Sequence, residues 1–150
     1  MIYLSCIVLQ EQTAQYPGHN CGLCLFACRE INMTRAEFQK LTRDKFVYLD
    51  GATGSNLVKA GMPSGVCPEQ WILEHPDIMQ KLQEDYVAAG TDILYAPTFT
   101  ANRIKLAEYG LAEHMEQMIH DLVAISKRAA ETARNRKVYI AADLTMTGEQ

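Results

Sequence analysis

Three short polar segments each follow an apolar run, and they hold the side chains best suited to chemistry. They are Asp50-Gly51-Ala52-Thr53-Gly54-Ser55, Pro97-Thr98-Phe99-Thr100-Ala101-Asn102 and Asp143-Leu144-Thr145-Met146-Thr147-Gly148. Asp50 comes directly after its apolar run, which puts its carboxylate at the mouth of a sheet, where it can accept hydrogen bonds from a ligand ammonium group. Gly51 and Gly54 allow a close backbone approach that a side chain would block. An Asp before Gly is also ordinary turn chemistry. Thr98 and Thr100 can both cap the helix carrying Ile104 and Leu106, and Thr100 is expected in that role. The Gly51/Gly54 spacing is not G-x-G-x-x-G, and no acidic residue sits at a suitable following strand end, which argues against a dinucleotide site.

A second chemical candidate lies near the N-terminus, where His19, Cys21, Cys24 and Cys28 are closely spaced. Clustered thiols can supply half of a tetrahedral metal site. Only Cys67 is available as a distant partner, and no β-α-β unit follows the Cys21/Cys24 pair as a thioredoxin-like site requires. The cluster supports an alternative reading, a small metal- or thiol-binding protein. His75, before Pro76, and His114 and His120, on a helix, are expected to be structural or solvated.

The elements that must position these residues alternate strand and helix. Apolar runs at 46–49, 92–96 and 138–142 begin roughly 46 residues apart and suit parallel strands covered on both faces. Pro68 and Pro76 stand where a first helical turn tolerates a missing N–H. Ile78, Met79, Leu82, Tyr86 and Ala89 form a helical stripe that Gly90 is placed to end. A longer stripe runs through Met115, Met118, Ile119, Leu122, Val123, Ser126, Ala129, Ala130 and Ala133. Arg134, Arg136 and Lys137 follow it, where cations favour a helix C-terminus. Strand-helix alternation with long crossovers predicts an α/β fold with a parallel sheet.

Residues 1–32 differ in character, with no sustained period, and are expected to be an irregular extension outside the domain. Thr34 and Glu37 then form a capping-box pattern that opens a short helix ending near Asp44, with Phe38 and Leu41 on one face. Met33 would serve as a translation start. The domain is expected to span 33–150.

Composition bounds the function. The chain has 150 residues, 48% hydrophobic and 21% charged, with a formal net charge of −4 and a pI near 5.5. These values exclude a collagen, a disordered acidic tail and a strongly basic nucleic-acid binder. The apolar stretch at 1–9 is too short to cross a bilayer, which takes roughly 20 residues, and lacks the flanks of a signal peptide. Four of the five cysteines fall in the first 28 residues, so the rest suits a reducing cytoplasm. A complete (β/α)8 barrel needs about 250 residues, so a chain of this length holds only part of one.

In their order, the motifs resemble the homocysteine S-methyltransferase family. The series runs Leu49-Asp50-Gly51-Ala52-Thr53-Gly54, Trp71, His75-Pro76, Tyr86, Ala89-Gly90-Thr91-Asp92, Thr98-Phe99, Ala101-Asn102, Leu106, Gly110 and Thr147-Gly148. It is most similar to the N-terminal homocysteine-binding module of cobalamin-dependent methionine synthases, over about residues 44–150. The second exit usually reads Thr-Asn-Thr-Phe where this chain has Ala96-Pro97-Thr98-Phe99. The third usually reads Gly-Pro-Thr-Gly where it has Thr145-Met146-Thr147-Gly148.

The resemblance implies a (β/α)8 TIM barrel, of which the chain carries about the first three β/α units. It implies homocysteine at the C-terminal rim, held at its amino-acid end by Asp50, with Gly51 and Ala52 lining the pocket and Thr98 and Phe99 at the rim. It implies zinc on the thiolate, lowering the thiol pKa, through three cysteines that lie beyond Gln150 in the family, as does a glutamate completing the site. No metal ligand and no catalytic residue is therefore expected within this chain, and alone it is expected to be inactive. Cobalamin would be the methyl carrier if the parent is a methionine synthase. The implied partners are homocysteine, the C-terminal part of the barrel, and folate- and cobalamin-binding modules, with no nucleic acid and no membrane.

Overall fold

A computed structural model describes residues 33–145 and 147. The extension and its cysteine cluster lie outside the described residues. Contacts divide the chain into two units, Met1–Phe46 and Val47–Gln150.

In the first unit, helix α1 spans Arg35–Asp44. Its capping box forms as the sequence predicts. Thr34 Oγ1 accepts the Glu37 N–H at 3.2 Å, and the Glu37 carboxylate accepts the Thr34 N–H at 2.7 Å. Two orphan donors of the first turn are thereby satisfied. Phe38 and Leu41 are half-buried.

The second unit is mixed α/β. Helices α2 (Gly54–Lys59), α3 (Pro68–Glu74) and α4 (Pro76–Ala89) precede strand β1 (Ile93–Ala96). Helix α5 (Arg103–Ala107), a 3₁₀ turn (Ala112–His114) and helix α6 (Met115–Glu131) lead to strand β2 (Tyr139–Ala142). β1 and β2 pair in parallel, Ile93 opposite Tyr139 and Ala96 opposite Ala142. The first expected strand is reduced to a single parallel bridge, Leu49 to Ile93. Tyr48 is 63% exposed and Leu49 41%, so this run lacks the two-sided cover that a buried parallel strand has. Among the described residues the sheet therefore has two strands, and no helix is long and apolar enough to cross a membrane.

The helix termini follow local chemistry. Pro68 and Pro76 occupy first helical turns, and His75 stacks on Trp71 at 4.3 Å where α3 gives way to α4. The His75 ring Nδ1 lies 2.9 Å from the Trp71 carbonyl. Gly90 ends α4 with φ 109°, and the Thr91 N–H reaches back to the Tyr86 carbonyl at 3.1 Å. A side chain there would be strained.

Three expectations need correction. The buried face of α4 is Met79, Gln83 and Val87, with Ile78, Leu82 and Tyr86 flanking and Ala89 exposed. The buried face of α6 includes Ile125, which the predicted stripe passes over. Arg136 does not serve the end of α6: its guanidinium donates to the carbonyls of Val87 and Thr91 at the end of α4. The Val87 carbonyl also accepts the Gly90 N–H at 3.1 Å, and the Arg136 cation joins it to the Thr91 carbonyl just beyond the helix, where positive charge is favoured.

Among the described residues the core has three parts. Leu57, Trp71, Ile72, Met79, Ala101, Leu122 and Ile125 form the largest. Val87, Leu94, Ala129 and Val138 pack between the sheet and the helices, and Cys67, Leu106 and Met118 form the third. All three include residues of α6, which explains why that helix has the clearest period.

Candidate functional site

Parallel pairing brings the ends of β1 and β2 to one edge, and the segment before Asp50 joins them through its bridge. The Asp50 N–H donates to the Ile93 carbonyl at 3.2 Å, continuing that bridge by one residue. The Asp50 side chain then turns toward the same strand, and its Oδ2 accepts the Tyr95 N–H at 3.0 Å. Among the described residues no other residue donates a hydrogen bond to Oδ1. Burial pushes the Asp50 carboxyl from 3.8 up to about 6. The Tyr95 N–H and its own backbone N–H pull it down, and the charge of Asp143 adds to the rise. The result is a half-buried carboxylate held on one oxygen and open on the other, which suits a cationic ligand.

Gly51 and Ala52 are fixed from below by α4. A Cβ on Gly51 would stand 2.8 Å from the Tyr86 phenolic oxygen and 2.9 Å from Cε1. The Tyr86 hydroxyl donates to the Ala52 carbonyl at 3.0 Å, and Asn56 Nδ2 donates to that carbonyl at 2.6 Å and to the hydroxyl at 3.2 Å. Asn56 sits in α2, so this small network ties the first exit loop to two helices.

Thr98 joins the other two exits. Its hydroxyl donates to the Asp143 carbonyl at 2.9 Å and accepts the Asp143 N–H at 3.2 Å. At 4% exposure, its one proton is committed to the backbone. Asp143 thus stands beside the end of β1, and burial raises its carboxyl as well. Phe99 is 52% exposed, and its carbonyl accepts the Thr145 N–H at 3.1 Å.

The expected cap at Thr100 is not formed. Asn102, directly before α5, takes the role, its Oδ1 accepting the Lys105 N–H at 2.9 Å. Thr100 lies two residues too early to reach the first turn, and both its backbone N–H and its hydroxyl go to Glu69.

The five residues expected at a site therefore divide. Asp50 offers a free acceptor, Gly51 and Ala52 offer backbone, Thr98 acts as a clip, and Phe99 offers an exposed ring. Sequence reasoning missed Asn56, Glu69 and the downward contact of Tyr86. Only Tyr86, in the motif series, carried a signal. His114 falls in the 3₁₀ turn, and His120 is an exposed α6 residue 3.3 Å from Asp121. Among the described residues no three His, Cys, Asp or Glu side chains converge to hold a metal ion.

The family model described as homocysteine S-methyltransferase matches residues 47–150. Among solved structures the chain is similar to the metallated form of the homocysteine methyltransferase MmuM from Escherichia coli. The TM-score is 0.58 at 22% identity, over 70% of this chain and 40% of that one. At that identity the likeness speaks to fold. The chain spans less than half the length of that protein.

Proposed function

The chain belongs to the homocysteine S-methyltransferase family, and we propose that its second unit supplies the amino-acid-binding part of a homocysteine site on a partial (β/α)8 barrel. The observation that carries this reading is the Asp50 carboxylate, fixed through Oδ2 by the Tyr95 N–H, with no other described residue donating to Oδ1. An ammonium group placed on Oδ1 completes the acceptor set with a charge-assisted hydrogen bond. Gly51 and Ala52 give the backbone wall, and their lack of bulk lets the amino acid approach the strand end. Thr98 keeps the second and third exits together, and Phe99 presents its ring at the rim.

The family's reaction moves a methyl group onto the homocysteine sulphur. Zinc, which the family resemblance implies, finds no fitting residue set among the described residues. The role of this chain is binding and orientation. Barrel segments outside the matched 40% of a related chain would complete the sulphur end of the site and cover the open sheet edges.

Calorimetry on the full chain tests the reading with two ligands. L-Homocysteine should bind measurably, and 4-mercaptobutanoate, which lacks the ammonium, should bind at least about tenfold more weakly. Asp50→Asn should remove the difference between them. Equal affinity of the unsubstituted chain for both ligands, or binding to neither, would sink the proposal.

A further inference from the structure

Glu69 is a buried acid that the reading above does not use. It is 2% exposed, and a carboxylate in such a place is costly unless its oxygens are hydrogen-bonded. Its Oε1 accepts the Thr100 N–H at 2.7 Å, and its Oε2 accepts the Thr100 hydroxyl at 2.6 Å. The Cys67 thiol adds a long contact to Oε2 at 3.6 Å. Glu69 also stands in the first turn of α3, where negative charge is favoured. A side chain on one helix thus holds two groups of a single residue in a loop 31 positions away.

That loop, residues 97–102, is pinned at three places. Thr98 is clipped to Asp143, Thr100 to Glu69, and Asn102 caps α5. Phe99 sits between the first two pins with its ring half in solvent. An exposed aromatic gains little from packing, so its place is set by the backbone on either side. An apolar residue at 69 would fill the same space and hold neither group of Thr100.

We propose that Glu69 is a positioning residue for the rim: it clamps Thr100 and thereby sets where Phe99 stands. Its effect on ligand affinity rests on the homocysteine reading above, whereas the clamp itself does not.

The test is amide hydrogen exchange on the full chain, combined with homocysteine calorimetry, for Glu69→Leu and Glu69→Gln. In Glu69→Leu the Thr100 amide should exchange at least about tenfold faster while α6 amides keep their protection. The homocysteine Kd should rise by about tenfold or more. Glutamine can accept from the Thr100 N–H and donate to its hydroxyl, so Glu69→Gln should bring both values within about threefold of the unsubstituted chain. A folded Glu69→Leu with unchanged Thr100 exchange overturns the clamp. Faster exchange with unchanged homocysteine affinity overturns its role at the rim. Should Glu69→Leu fail to fold, Thr100→Ala takes its place: severalfold faster exchange across 98–101 supports the clamp, and unchanged exchange there overturns it. If the unsubstituted chain does not bind homocysteine, the proposed function falls by itself, and the clamp stands or falls on exchange.

Discussion

The Tyr86 ring lies against Gly51 so closely that a Cβ on that glycine would sit 2.8 Å from the phenolic oxygen. A Cβ at that distance would force the Tyr86 ring or the loop to shift, so the two fit as they stand only with glycine at position 51. The phenol also donates to the next carbonyl, at Ala52. One side chain of α4 therefore fixes both the height and the direction of the loop that begins with Asp50.

Gly51→Ala should destabilise the chain by about 1–3 kcal/mol, the usual cost of overpacking. In a Tyr86→Ala background the added methyl no longer meets the phenol, so the same change should cost much less. Urea denaturation of the four-member cycle gives the coupling between the two sites. Additive effects would show that the loop moves away freely and that Tyr86 does not fix it.

The carboxyl of Asp50 makes stability depend on pH. Its folded pKa, about 6, exceeds the ordinary 3.8, so the folded state holds the proton more tightly than the unfolded chain. The contribution is fully present below about pH 4 and is lost as pH rises toward 6 and beyond. Asp143, raised in the same direction by burial, adds to the trend. Asp50→Asn keeps an oxygen for the Tyr95 N–H and has no charge to desolvate. At pH 7.5 it should be more stable than the unsubstituted chain by ~1 kcal/mol, after allowance for solvent screening of a half-exposed group. The gain should vanish below pH 4 in the same denaturation experiment.

Thr98→Val and Thr98→Ser separate shape from hydrogen bonding. Valine leaves the Asp143 N–H and carbonyl without their partner, at a cost of about 1–3 kcal/mol. Serine keeps the hydroxyl and should lose less than about 1 kcal/mol. Thermal melts of both variants check the order, and a larger loss in Thr98→Ser than in Thr98→Val would show that the Thr98 methyl, not the hydroxyl, carries the contribution.

The features legible in the sequence were those decided within a few residues. Thr34 with Glu37, the prolines that open α3 and α4, and Gly90 at the end of α4 each act on their own turn. The strand runs at 92–96 and 138–142 were legible because both strands pack against the core. What stayed hidden depends on partners far along the chain. Gln83 lies buried in the α4 stripe because its amide reaches the Tyr95 carbonyl at 3.0 Å, and nothing near Gln83 signals that. Arg136 follows α6 but serves α4, and Thr100 looks like a cap until Glu69 appears 31 residues earlier. At the site, Asp50 was legible because it ends an apolar run, whereas the residues that hold its loop were not. The first strand was overestimated for a related reason: an apolar run shows what could be buried, and only tertiary cover decides whether it is.

That missing cover leads to the last prediction. Tyr48 is 63% exposed and Leu144 52%. Among the described residues β2 pairs on one side only, with β1. An edge with unpaired backbone and apolar neighbours is a template for another strand, and charged side chains, lysine above all, are the usual protection. The full chain should therefore self-associate at concentrations on the order of micromolar, seen in sedimentation velocity as mass that rises with loading. Tyr48→Lys and Leu144→Lys together put a charge beside each outer strand without entering the core, and should shift the material toward monomer with little change in the thermal midpoint. A chain that stays monomeric at every loading, with or without the lysines, would show that the edges are already protected and that the exposed apolar groups carry no association.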